Sequence, residues 1–295
     1  MLHIISDALL KAKFPLIITA RSGRDPRTVP LLAALSDELG VAVTTLCPSA
    51  VCLPHSHPHF LGTPFAGKTY LLEEADVILV FDVDIPWIET QGSTPVAGAR
   101  VFVIETDPLK SSIGHYHVDA EIICKVDPMT ALEQIYEAIQ VPHAKEYCSS
   151  ISVVNRKILL KQKHDEYIGH LDALEKTLIE ATPTAPNILA EVRRSVSELT
   201  PSRGQNVLWV NEAISNYGTV FDHIRPELPG SMICSGGTSL GYALGAAVGA
   251  VLGTRVSGKE PELTVVIVGD GTFLFCVPSS AYWMARRYDT VRKPR

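Results

Sequence analysis

Apolar residues in this chain come in two rhythms. Short runs rich in β-branched residues read as strands, and stripes at helical spacing lie between them. The first run covers residues 14–20. A stripe follows at Val29, Leu32, Ala33, Leu35, Ser36 and Leu39, and it stops at Gly40, where a left-handed helix end suits glycine. Residues 41–45 form the next run, so 14–45 predicts one βαβ unit and a parallel sheet. The alternation continues with a helix over 69–75, strands over 77–81, 100–104 and 120–126, and a helix over 128–140. From 142 to 200 the sequence is charged and mostly helical, with Asn187 placed to cap a helix over 188–199. A strand over 206–210, a glycine-led helix of small residues, a buried strand over 264–268 and a helix over 279–288 complete the pattern. The class is α/β. The expected organisation is a Rossmann-like parallel-sheet unit over 1–141, a helical linker over 142–200, and a partial α/β unit over 201–295.

At 295 residues, with 46% hydrophobic and 20% charged residues, the chain has the make-up of an ordinary globular protein. The net charge of -6 argues against binding to a phosphate backbone, so no nucleic-acid partner is expected. No apolar run is long enough to cross a bilayer, and the first residues lack a basic n-region and cleavage site, so neither a membrane span nor a signal peptide is expected. Six scattered cysteines without a Cys-x-x-Cys read as buried free thiols of a cytoplasmic or other reducing compartment.

Four stretches carry candidate chemistry. The strand over 264–268 runs into Gly269-Asp270-Gly271-Thr272. One carboxylate beside bare backbone N–H groups suits Mg²⁺ and a diphosphate, although Gly-Asp-Gly is also a common plain turn. Upstream, Ser235-Gly236-Gly237 opens the small-residue helix. His55, His57 and His59 share a proline-rich loop with no acidic neighbour in sequence, which reads as an exposed polar loop before it reads as a metal site. Asp82 and Asp84 follow a strand end, where turn formation competes with catalysis. The run Arg156, Lys157, Lys161 and Lys163 reads as a solvated helix face.

The order Ser-Gly-Gly, small-residue helix, Gly-Asp-Gly and Pro278-Ser279-Ser280 resembles the diphosphate-binding region of thiamine-diphosphate enzymes, nearest the acetolactate synthase and benzoylformate or pyruvate decarboxylase group. The resemblance implies a six-stranded central sheet, thiamine diphosphate and Mg²⁺ as cofactors, a 2-oxo acid as substrate, C–C cleavage or formation through a cofactor enamine, and a homo-oligomer. It places Ile214 and Ser215 at the terminal phosphate, and Gly236 and Gly237 against the aminopyrimidine. Leu240 falls between the two cofactor rings, Gly269, Gly271 and Thr272 at the diphosphate, and Asp270 on the metal. Ser215 has an alternative as a helix cap, and Leu240 as ordinary core. Acetolactate synthases also bind FAD. No Gly-x-Gly-x-x-Gly is present, and Arg21-Ser22-Gly23-Arg24 is the stretch that could meet a flavin's phosphate.

The pattern also departs from the family. The asparagine that supplies a second side-chain ligand to Mg²⁺ has no counterpart before Arg295, and no glutamate matches the one that activates the cofactor. The expectation is a chain with little or no catalysis alone. Two rival readings are a non-catalytic nucleotide-binding or assembly module, and an incomplete product without independent function.

Overall fold

The computed structural model describes residues 1–64, 69–110, 118–236 and 239–290. It contains two parallel sheets joined by helices. The first has the order β2-β1-β3-β4-β5, from strands β1 (Pro15–Thr19), β2 (Ala42–Thr45), β3 (Val77–Phe81), β4 (Arg100–Glu105) and β5 (Ile122–Lys125). The described residues give five strands here where the resemblance implied six. β1, β2 and β3 are buried at every position, which explains their unbroken apolar runs, because helices or loops cover both faces of a parallel sheet. Side chains alternate between two cores. Ile17, Leu79 and Phe102 pack with helices α1 (Leu2–Lys11), α2 (Thr28–Leu39) and α4 (Pro128–Ile139). Leu16, Ile18, Ile78 and Val80 pack with Trp87 and with Leu71 of α3 (Leu71–Glu74), a single turn shorter than the helix expected over 69–75. Gly40 ends α2 at φ 63°, and its N–H donates to the Ser36 carbonyl at 2.8 Å.

Three helices link the sheets: α5 (Pro142–Cys148), α6 (Ile151–Leu174) and α7 (Ala185–Leu199). Two expectations are corrected here. Thr184, not Asn187, caps α7, and the Asn187 side chain accepts from the Thr184 N–H at 2.6 Å in a capping box. Arg156 does not lie on a solvated face. It is buried, and its guanidinium donates to the carbonyls of Leu10, Ala12 and Leu39, joining the ends of α1 and α2 to α6.

The second sheet has the order β7-β6-β8, from β6 (Val207–Glu212), β7 (Met232–Cys234) and β8 (Leu263–Val268). Its helices are α8 (Tyr217–Ile224), α9 (Ala243–Val256), α10 (Asp270–Phe275) and α11 (Pro278–Arg287). β6 is buried throughout, but β8 is only half-buried. The buried strand expected over 264–268 is therefore a half-buried edge: among the described residues β8 pairs only with β6. Beside it Leu274, Phe275, Tyr282 and Trp283 are exposed.

The loop after β2 joins the two sheets. Ala50 bridges Ile233, the Cys234 N–H donates to the Ser49 carbonyl at 3.1 Å, and the Tyr217 hydroxyl donates to the Pro48 carbonyl at 2.9 Å. No helix among the described residues is long and apolar enough to cross a membrane.

Candidate functional site

In a parallel sheet, the loops leaving the C-terminal strand ends meet along one edge, and a ligand crevice opens where the strand order reverses. Both sheets have such a point. In the first it lies between β1 and β3, and the protein's own charges fill it. Arg21, immediately beyond β1, pairs with Asp82 at 3.2 Å, with Asp84, and with Glu105 at 2.5 Å, while Lys110 reaches Asp84 at 2.5 Å. Burial pushes the Asp82 carboxyl up. Burial also opposes ionisation of Asp84, but hydrogen bonds from Arg21 and Lys110 hold it below the usual carboxylate range. Asp82 and Asp84 are thus ion-pair partners, beyond the turn formation expected of them. Within the stretch expected to be able to meet a flavin's phosphate, Arg21 is committed to carboxylates, whereas Arg24 is exposed and forms no ion pair with a described residue.

In the second sheet the reversal lies at β6. The register pairs Asn211 with Cys234 and Glu212 with Val268, so the loops after β6, β7 and β8 start level with one another. These loops carry the residues singled out from the sequence. After β6, the buried Asn211 accepts from the Ala213 N–H at 3.0 Å and donates to the Tyr217 carbonyl at 3.2 Å. That turn leads into a 3-10 segment, Ile214–Asn216, with Ile214 half-buried and Ser215 exposed. Asn216, not Ser215, is the residue preceding α8.

After β7, Gly236 has φ +68°, and a Cβ there would lie 3.2 Å from both Arg24 Nη2 and Ser49 Cβ. Gly237 lies outside the described residues. Leu240 is 37% exposed, more open than a core leucine. Gly241 has φ +107°, and a Cβ there would lie 2.7 Å from the Phe275 carbonyl oxygen, so only glycine lets this segment rest on α10.

After β8 the expected turn is the start of a helix. Gly269 is the residue preceding α10 and Asp270 is its first residue. Asp270 is exposed and its side chain makes no hydrogen bond or ion pair with any described residue, whereas Thr272 is buried. Nothing lies within 4 Å of a Cβ built on Gly271, and only Thr272 Oγ1, at 3.7 Å, approaches one on Gly269. A free carboxylate beside open backbone is compatible with a hard cation holding a diphosphate.

Sequence reasoning missed Glu212. It is fully buried at the end of β6, and its carboxylate accepts from the N–H groups of Gly241, Tyr242 and Ala243 at 3.0, 2.9 and 2.6 Å, with the Cys276 thiol at 3.7 Å. An anion at a helix start satisfies orphan N–H groups and opposes the positive end of the dipole. The available signal was an acidic residue closing an apolar strand.

The histidine loop differs from expectation. His55, His57 and His59 are all buried, and Asp37 from α2 stands 3.3 Å from His57 Nε2. The acidic neighbour missing in sequence is supplied by the fold, and the three groups Asp37, His57 and His59 lie close together. His57 Nδ1, however, accepts from the His59 N–H at 3.2 Å, which in a neutral ring leaves the proton on Nε2, facing Asp37. Burial holds His55 down at about 3 and His59 at about 4. The cysteines are free, and Cys47 is the exposed exception to five buried thiols.

The profile described as "Thiamine pyrophosphate enzyme, central domain" matches residues 2–135, and that described as "Thiamine pyrophosphate enzyme, C-terminal TPP binding domain" matches residues 213–291. No curated protein matches the chain. Solved structures share the fold. Benzoylformate decarboxylase from Polynucleobacter necessarius superposes with a TM-score of 0.70 at 21% identity, over 96% of this chain and 48% of its own. A thiamine diphosphate-dependent 4-hydroxybenzoylformate decarboxylase from Rhodococcus jostii RHA1 gives 0.65 at 19% identity, over 97% and 48%. A Mycobacterium smegmatis protein put forward as a thiamin diphosphate-dependent enzyme gives 0.69 at 20%, over 97% and 50%. The chain thus spans about half the length of these structures. With both profiles matched in order, on the two sheets just described, the chain belongs to the thiamine pyrophosphate enzyme family.

Proposed function

We propose that the loops after β6, β7 and β8 seat thiamine diphosphate and Mg²⁺, and that the chain forms part of a 2-oxo-acid decarboxylase or acetolactate-synthase-type enzyme. The observation that carries this reading is the level register of Asn211, Cys234 and Ile267 at the strand ends with the free Asp270 carboxylate at the third loop. Asp270 would ligate the metal. Backbone at Gly269, Gly271 and Thr272, with Ile214 and Ser215 across the reversal point, would hold the phosphates. Gly236 and Gly237 would admit the aminopyrimidine, and Leu240 would prop the two rings apart. When bound, the cofactor supplies carbanion stabilisation for C–C cleavage or formation. The residues of this chain bind and orient it, and Glu212 fixes the α9 entrance that carries Leu240 and Gly241.

The exposed side chains of Leu274, Phe275 and Trp283 offer apolar surface for a pyrimidine-binding partner or for a homo-oligomer. We take residues 1–141, 142–200 and 201–295 as the working divisions. The assembly-module reading through a bound flavin is the second reading; with Arg21 engaged by Asp82, Asp84 and Glu105, it would rest on Arg24 of the same stretch.

Calorimetric titration with thiamine diphosphate, with and without Mg²⁺, tests the seat. Binding that requires Mg²⁺ and disappears in Asp270→Ala is expected. Binding unchanged by that substitution would place the metal elsewhere.

A further inference from the structure

Arg21 and Arg24 lie three positions apart and have opposite fates. Arg21 is enclosed by carboxylates. Arg24 is exposed and has no ion pair among the described residues, and its one side-chain hydrogen bond there runs from Nε to Ser49 Oγ at 3.0 Å. That bond occupies the inner edge of the guanidinium and leaves the Nη pair for another partner. Nη2 lies over Gly236, the glycine whose missing side chain makes room for it.

Arg24 lines a crevice of about 360 Å³ between the C-terminal ends of the two sheets. Gly23 and Arg24 come from beyond β1, Ser49 and Ala50 from beyond β2, and Cys234 and Ser235 from the end of β7. Tyr242 closes the side toward α9. The walls combine one cation with hydroxyl-bearing Ser49 and Tyr242, and the remainder includes the apolar Pro26, Ala50 and Ile233. The volume is at the small end for ligand clefts.

We propose that this crevice binds the carboxylate of a small organic acid, with Arg24 as its anchor. A guanidinium whose Nε is engaged still presents two parallel N–H donors, and these match the two oxygens of a carboxylate. A single fixed cation suits a monoanion. A phosphate dianion is better served by several cations, and Arg24 is the one cation of the described lining. The apolar wall leaves room for a short carbon chain. Arg24 is outside the proposed diphosphate seat but its Nη2 lies over Gly236, which that reading gives to the aminopyrimidine, so binding here is measured without thiamine diphosphate and its failure is distinguishable from failure of the cofactor reading.

The test is calorimetric or NMR titration of the chain with pyruvate and, separately, inorganic phosphate at constant ionic strength. Saturable pyruvate binding is expected, weakened roughly tenfold or more in Arg24→Gln and unchanged in Arg27→Gln, whose parent side chain is exposed and already paired with Asp25 at 2.6 Å. Phosphate should bind at least about tenfold more weakly than pyruvate. Arg24→Lys keeps the charge without the fork and should lose several-fold, which decides the matter if Arg24→Gln fails to fold. Absence of saturation, an Arg24→Gln or Arg24→Lys affinity equal to the parent, or phosphate binding as tightly as pyruvate would each overturn the assignment.

Discussion

The Glu212 carboxylate accepts a hydrogen bond from the Ala243 N–H at 2.6 Å, so the end of the central strand β6 directly caps helix α9. The same carboxylate takes the N–H groups of Gly241 and Tyr242, and the loop that carries Leu240 is thereby fixed to the strand beside the proposed cofactor seat. A buried anion satisfied in this way stabilises, and removing it strands several buried donors. Glu212→Ala should cost about 2–4 kcal/mol and Glu212→Gln about 1–3 kcal/mol in urea denaturation, since an amide has one acceptor oxygen and brings donors of its own. A loss near zero would mean that α9 finds other caps.

Glycines of α9 and its entrance should split by backbone geometry. Gly241→Ala must place a Cβ against the Phe275 carbonyl at positive φ, and a loss of about 1–3 kcal/mol is expected. Gly245→Ala, in the same helix with nothing within 4 Å, should instead gain about 0.5–1 kcal/mol from helix propensity. Thermal melts of the two variants would separate in opposite directions from the parent.

Arg156 holds three main-chain carbonyls in a buried setting, and burial lowers its pKa. Arg156→Met keeps much of the stem but leaves those acceptors without their donor, at a cost of about 3–5 kcal/mol. Lys157→Met, on the neighbouring position, is the control and should shift stability by no more than about 0.5 kcal/mol.

Two carboxyl groups give stability opposite pH slopes. Burial opposes ionisation of Glu175, yet hydrogen bonds from Arg193 and His223 hold it at about 2. A depressed carboxyl stabilises the fold above its unfolded value near 4.5, and that contribution is lost as pH falls toward 2. Asp222 is raised to about 7 by burial, against the Tyr167 hydroxyl that donates to it at 2.8 Å. The folded state then holds a proton that the unfolded state releases near 3.8, so stability falls as pH rises from there to about 7. Glu175→Gln should remove the acid limb of a stability–pH curve, and Asp222→Asn should flatten the limb between pH 4 and 7. If Asp222→Asn left the upper limb as steep as in the parent, the decline would belong to another group.

Features that depend on neighbours along the chain were legible in the sequence. The all-buried runs of β1 and β3 follow from β-branched composition, and Gly40 ends α2 as its position implied. The three candidate stretches at 214–215, 236–240 and 269–272 stood out because their order along the chain is characteristic. Groups whose role depends on distant partners were not legible. Arg156 looks like one charge in a basic helix until α1 and α2 end against it. Three histidines beside prolines look solvated until Asp37 and the linker helices close over them.

By itself the sequence determined the α/β alternation, most strand and helix positions and the family, since these depend on residues within a turn or two of one another and on a fixed motif order. Only the tertiary structure decided which charges are spent and which are free. Arg21 and Arg24 share a single turn, yet the sheet brings Asp82, Asp84 and Glu105 to one while the other faces the crevice near Gly236. Electrostatic partnership depends on distance in space, and a parallel sheet places side by side residues that are dozens of positions apart in the chain.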